Sequence, residues 1–171
     1  MGESPIHNRV FNHVAVSVCN IEAVVKWYSD LFGFRLLGSI QHIKRSETPD
    51  DAIFGIYPAS LNEVKLAWMT TGNGVGFEVF EFVDPKAEPE AKSFEFHKAG
   101  FFHVCVTDSD PDALASRVEE AGGRRIGKTM DPLGTGVKCL YLADPWGNVM
   151  EVLNVGFEQM GCTTPVKKSK L

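Results

Sequence analysis

Phe11-Asn12-His13-Val14-Ala15-Val16-Ser17-Val18 returns ninety residues later as Phe101-Phe102-His103-Val104-Cys105-Val106-Thr107-Asp108, and the match continues without a gap from residues 22–37 onto 112–127. Along this offset His13 meets His103, Val14 meets Val104, Val16 meets Val106, Ala23 meets Ala113, Gly33 meets Gly123 and Arg35 meets Arg125. Self-similarity at a fixed offset marks a duplicated supersecondary unit, so the chain reads as two copies of one module. A second alignment sets Gly74-Val75-Gly76-Phe77-Glu78-Val79-Phe80 against Gly147-Asn148-Val149-Met150-Glu151-Val152-Leu153 and pairs Glu78 with Glu151.

The quoted stretch alternates as a strand does: Phe11, His13, Ala15 and Ser17 share one face, and Asn12, Val14, Val16 and Val18 the other. Residues 21–32 then place Ala23, Val24, Trp27, Tyr28, Leu31 and Phe32 at helical spacing, with Gly33 where a helix end favours a left-handed residue. Residues 113–121 repeat this with Leu114 and Val118 inward, ending at Gly122-Gly123. Each module closes with two strands, expected over 63–70 and 77–83, then over 136–143 and 149–155. Residues 39–60 lack clear periodicity and read either as a long loop over the site or as an extra strand at 40–44. The expected fold is therefore α+β: two tandem βαβββ modules forming a curved mixed sheet around a central metal cleft. The boundaries are an N-terminal extension (1–9), module one (10–83), a charged, Pro-containing linker (84–98), module two (99–157) and a flexible tail (158–171).

Two equivalent His and two equivalent Glu are what a duplicated site supplies. Related modules would bring His13, Glu78, His103 and Glu151 to one divalent ion, and mixed N and O ligation of this kind suits Zn, Ni, Co, Fe or Mn. Glu81 lies three residues from Glu78 and so faces the opposite side of a regular strand; it is expected to be exposed or to support the ligands indirectly. His7, His42 and His97 have no partner in the repeat and are read as ordinary surface or core residues.

Composition sets the outer bounds. Of 171 residues 44% are hydrophobic and 23% charged, near the globular average. A net charge of -5 gives no basic footprint for nucleic acid, and no run of 18 apolar residues is present to span a bilayer. Cys19, Cys105, Cys139 and Cys162 form no CxxC pair and read as buried free thiols of a protein folding in a reducing compartment. Ser169-Lys170-Leu171 at a free C-terminus is the tripeptide read by the peroxisomal import receptor, so the peroxisome is the expected location, with the cytoplasm as its alternative.

Phe-Asn-His13-Val-Ala-Val-Ser-Val, Trp27-Tyr-Ser-Asp-Leu-Phe-Gly-Phe34, Phe-His103-Val-Cys-Val and Asp144-Pro-Trp-Gly-Asn-Val-Met-Glu151-Val together resemble the vicinal oxygen chelate superfamily, which includes glyoxalase I, methylmalonyl-CoA epimerase, extradiol dioxygenases and bleomycin-resistance proteins. The resemblance covers about residues 10–155. It implies that His13, Glu78, His103 and Glu151 hold the metal. It also implies a glyoxalase-like lyase, isomerase or epimerase that transfers a proton next to a carbonyl through an enediolate-like intermediate, with Glu151 or Glu78 as base. Where glyoxalase I carries an Arg and an Asn that help hold glutathione, this chain has Ser17 and Phe82, which implies a carbonyl substrate not linked to glutathione. Phe77, Phe80, Phe94, Phe96, Trp68 and Trp146 hint at a larger apolar substrate, though most of them read as core. The alternatives are an Fe(II)-dependent ring-cleaving dioxygenase and a metal-free protein that sequesters a small molecule. Many relatives are dimers, so a homodimer is compatible with the reading.

Overall fold

The computed structural model describes residues 9–89 and 94–162, and the chain forms two compact units, Met1–Pro89 and Glu90–Leu171. His7, Ser169, Lys170 and Leu171 lie outside the described residues. In the first unit the order is β1 (His13–Ser17), α1 (Ile21–Phe32), β2 (Arg35–Leu36), β3 (Gln41–Lys44), α2 (Ile53–Ile56), β4 (Glu63–Thr70) and β5 (Gly76–Asp84). In the second it is β6 (Val104–Thr107), α3 (Pro111–Glu120), β7 (Arg124–Met130), β8 (Cys139–Ala143), β9 (Val149–Leu153) and α4 (Phe157–Cys162). The expected α+β architecture is present as two mixed sheets, one per unit. The first has strand order β1-β5-β4-β2 with β3 also on β4; the second has β6-β9-β8-β7. In each the outer β1–β5 or β6–β9 pair is parallel and the other pairs are antiparallel. The segment expected as a tail from residue 158 begins inside α4.

Local chemistry explains α1. Asn20 is extended and its side-chain oxygen accepts from the Ala23 N–H at 3.0 Å, which satisfies a donor that the helix leaves open. Gly33 closes the helix at φ 66°, returning its N–H to Ser29 and Tyr28. Ile21, Val24, Val25, Trp27 and Tyr28 form the buried stripe, and Tyr28 meets Phe77 of β5 at 4.8 Å between ring centroids. Asp110 caps α3 in the same way and Pro111 opens it. Leu114, Ala115 and Val118 belong to the same buried core as Leu140, Leu142, Met150 and Val152, none of which is more than 4% exposed. Each such aliphatic burial stabilises the fold by about 1.5–3 kcal/mol relative to exposure. Gly33 and Gly123 align in sequence but do different work. The left-handed residue after α3 is Gly122, at φ 84°, whereas a Cβ on Gly123 would sit 2.6 Å from Val118 Cγ1.

The duplication reaches the register of the strands. Glu78 lies between Ala15 of β1 and Trp68 of β4, and Glu151 lies between Cys105 of β6 and Tyr141 of β8. Even the irregularity is copied. Leu36 pairs with Met69 and Gln41 with Leu66, so five steps answer three. Ile126 pairs with Tyr141 and Met130 with Cys139, so four steps answer two. In both units the second strand of the module therefore carries a two-residue excess, which in the first unit splits it into β2 and β3.

The segment 39–60 is thus neither a bare loop nor only an extra strand. It supplies β3 and α2, and Ile53, Phe54 and Leu61 pack with Val64, Leu66 and Phe80, flanked by Ile43, Tyr57 and Phe82. Phe80 and Leu66 are register partners on the sheet face opposite to Phe77 and α1, the face that also carries Glu78. An apolar cap therefore covers the sheet beside the carboxylate.

Candidate metal centre

In the first unit β1 runs parallel to β5 with His13 opposite Gly76, two residues before Glu78. A Cβ on residue 76 would approach His13 Cβ to 2.8 Å, so glycine is what lets the imidazole lie against β5. His13 Nε2 then stands 3.6 Å from Glu78 Oε2. The other ring nitrogen, Nδ1, is 2.8 Å from Asn12 Oδ1. An amide oxygen only accepts, so in this contact Nδ1–H donates to Asn12 and Nε2 is the nitrogen turned toward the carboxylate, the one that would be offered to a metal.

The second unit repeats the pair. His103, immediately before β6, has Nε2 3.4 Å from Glu151 Oε2. Its setting is drier: the His103 and Glu151 side chains are 24% and 15% exposed, against 49% and 26% for His13 and Glu78. His103 Nδ1 is buried without a hydrogen-bond partner among the described residues. Rings surround it, with Phe102 at 4.6 Å and Tyr141 edge-on at 5.3 Å, and Phe94 packs on both of these rings. In the repeat Phe102 stands where Asn12 does, so an aromatic face replaces the amide beside the imidazole.

Two thiols lie beside Glu151. Cys139 Sγ donates to Glu151 Oε1 at 3.0 Å, and Cys105 is the β6 residue opposite Glu151. Desolvation, followed by the hydrogen bond and the charge of Glu151, pushes the Cys139 thiol up to about 12. Cys105 presents surface to solvent as a residue, yet desolvation and the Glu151 charge push its thiol to about 12 as well. The Tyr141 hydroxyl is raised for the same two reasons. None of the four cysteines is buried, which corrects the expectation of buried thiols: three are exposed and Cys139 is partly covered, because Cys105 and Cys139 lie on the Glu151 face rather than the α3 face. Parity would have found Cys105, two residues from His103 on the same face, whereas Cys139 follows only from the register of β8 against β9.

Each pair supplies one imidazole nitrogen and one carboxylate oxygen, donor types that divalent ions accept. Separations of 3.4 and 3.6 Å are too long for a hydrogen bond. They are close to the roughly 3–3.4 Å between two ligand atoms that each sit about 2.1 Å from a common ion. The structure thus brings His13 to Glu78 and His103 to Glu151. Among the described residues it gathers no group of three or more His, Cys, Asp or Glu able to hold a metal.

Other residues singled out in the sequence take structural places. Glu81 is neither exposed nor a support of the ligands; its Oε2 accepts the Ile21 N–H at 2.8 Å and lies 3.6 Å from Lys65 Nζ, so it caps α1. His42 is 2.6 Å from Glu63, and His97 rests edge-on against Phe96. Phe82 stacks on Phe80 and Ser17 is exposed on β1. Phe77 and Phe80 are core, whereas Trp68 and Phe96 are exposed and Phe94 is half-buried. Trp146 lies in the β8–β9 turn, where buried Asp144 accepts from the N–H groups of Trp146, Gly147 and Asn148 and from the Asn148 side chain.

No helix among the described residues is long and apolar enough to cross a membrane. No curated protein matches the chain significantly. Among solved structures, the fold is similar to a glyoxalase family protein from Bacillus cereus, at TM-score 0.71 and 17% identity, covering 88% of this chain and 97% of that one. It is also similar to the fosfomycin resistance protein FosX from Mesorhizobium loti, at TM-score 0.57 and 14% identity over 92% and 100% of the two chains. Glyoxalase I from Zea mays gives TM-score 0.58 and 17% identity over 85% of this chain and 44% of the maize chain. The family model for the glyoxalase/bleomycin resistance protein/dioxygenase superfamily matches residues 10–152, and with two register-equivalent βαβββ units already seen, the chain belongs to that superfamily.

Proposed function

We propose that this chain is a divalent-metal-dependent enzyme of the glyoxalase kind, which moves a proton on the carbon next to a carbonyl of a small molecule and yields a lyase, isomerase or epimerase product. The observation that carries the reading is the repeated pair itself: an imidazole Nε2 facing a carboxylate at 3.6 Å in one unit and 3.4 Å in the other. Two donors are too few for a tight site, and the duplication supplies two more, so His13, Glu78, His103 and Glu151 together make a shell for one ion, drawn from one chain or from two copies. Zn, Ni, Co, Fe and Mn all accept such ligands.

When bound, a divalent ion supplies Lewis-acid polarisation of a carbonyl oxygen and so acidifies the neighbouring C–H. The chain's own groups do the rest. His13 is held by Asn12 with its Nε2 directed at Glu78. Glu78 or Glu151 accepts and returns the proton. The cap of Phe80, Leu66 and Val64 beside Glu78, and the rings of Phe102 and Tyr141 beside His103, limit water at the carboxylates. Ser17 and Phe82 offer no cationic or amide group for a glutathione carboxylate, which supports a substrate not linked to glutathione.

The test is exchange of substrate C–H with solvent deuterium over a panel of acyl and keto compounds. Exchange is expected in the metal-loaded wild type and is expected to vanish in Glu78→Gln or in Glu151→Gln. Undiminished exchange in both variants would remove the carboxylates from the mechanism.

A further inference from the structure

The two halves are equivalent in register but not in what holds their carboxylates. Residues 66 and 139 occupy the same place, each two pairs along from the strand row that contains the glutamate and so on its face: Leu66 pairs with Phe80, and Cys139 with Leu153. Leu66 is buried in the apolar cap and offers Glu78 no hydrogen bond. Cys139 offers one, with Sγ donating to Glu151 Oε1 at 3.0 Å while Oε2 of the same carboxylate faces His103 at 3.4 Å. One oxygen is thus tied to β8 and the other directed at the imidazole.

We infer that Cys139 is a positioning residue: its S–H ties down Glu151 Oε1 and presents Oε2 to the ion, making Glu151 the fixed carboxylate of the site. The inference rests on the metal reading above and adds to it a difference between the two halves. A carboxylate held at one oxygen loses rotational freedom before it meets an ion, so less ordering remains to be done on binding. Among the described residues Glu78 has no such tether, and it is the carboxylate free to leave the ion and carry the proton. The thiol donates in place; no bond is made or broken at sulfur.

Two readouts test this, one of them independent of any metal. In the metal-free protein the S–H stretch of Cys139, isolated as the infrared difference between wild type and Cys139→Ser, is expected at lower frequency than the stretch of exposed Cys19 and to move up in Glu151→Gln. With Mn²⁺ as the probe, Cys139→Ala is expected to bind about tenfold more weakly, the size of one lost hydrogen bond to a charged group. Cys139→Ser, which keeps a donor, is expected to restore affinity to within about threefold, a rescue that a purely packing role would not produce. Wild-type Mn²⁺ affinity in Cys139→Ala, or an S–H band indifferent to Glu151→Gln, overturns the tether while leaving the metal reading intact. No Mn²⁺ uptake by the wild type overturns the metal reading and the role of Cys139 with it, and the infrared shift then reports only that the contact exists.

Discussion

His13 and Gly76 face each other across the parallel β1–β5 pair so closely that a methyl group on residue 76 would lie 2.8 Å from His13 Cβ. Gly76→Ala is therefore expected to displace the imidazole or the strand, destabilising the protein by about 1–3 kcal/mol as overpacking does. Metal affinity should fall with it. Thermal unfolding and Mn²⁺ titration check both; a variant as stable and as avid as wild type would show that the strands separate freely there.

Glu81 and Glu78 give a paired prediction. Glu81→Ala removes the acceptor for the Ile21 N–H at the start of α1 and should lower stability by about 1–2 kcal/mol, with metal uptake unchanged. Glu78→Gln should do the opposite, leaving unfolding close to wild type and weakening metal. If Glu81→Ala lost the metal and kept its stability, the assignment of faces along β5 would be reversed.

Asp144 is 3% exposed and accepts three backbone N–H groups and the Asn148 amide in the β8–β9 turn. Asp144→Ala leaves those donors unsatisfied and is expected to cost about 3 kcal/mol or more, read as a lower urea midpoint.

Acid stability follows from Asp112. Hydrogen bonds from Thr129 and then Arg125, with Lys138 beside them, hold its carboxyl down at about 2, below its ordinary 3.8. A depressed carboxylate contributes stability that is present above the unfolded value and is lost as pH falls through the folded one, so the window runs from about 4 down to about 2. Asp112 is 45% exposed, so the contribution is screened and no more than about 1 kcal/mol. Asp112→Asn should flatten the pH dependence of unfolding in that window; an unchanged slope would place the acid sensitivity elsewhere.

Much of this was legible in the sequence for identifiable reasons. α1 and β4 have the expected bounds, Ile21–Phe32 and Glu63–Thr70, because a side-chain cap, a left-handed glycine and a periodic apolar stripe all agree for the helix, and alternation over 63–66, an apolar run to 69 and the Gly-containing turn after it agree for the strand. The repeat matched His13 with His103 and Glu78 with Glu151 and so marked these four residues, while the closeness of His13 to Glu78 and of His103 to Glu151 comes from the structure. Of residues 39–60 the extra-strand alternative at 40–44 is met by β3 (Gln41–Lys44), whereas α2 was illegible because it is short and packs by tertiary contact with Phe80 and Leu66. Cys139 was missed because a thiol carries no motif; only the register of β8 against β9 puts it beside Glu151.

The central claim is that the two His–Glu pairs act on one ion. Elemental analysis of protein purified without added metal, with His13→Ala, Glu78→Gln, His103→Ala and Glu151→Gln compared under the same conditions, tests it most directly. About one divalent ion per chain is predicted for the wild type, with occupancy lost in all four variants. A metal-free wild type, or a metal that survives removal of either pair, would contradict it.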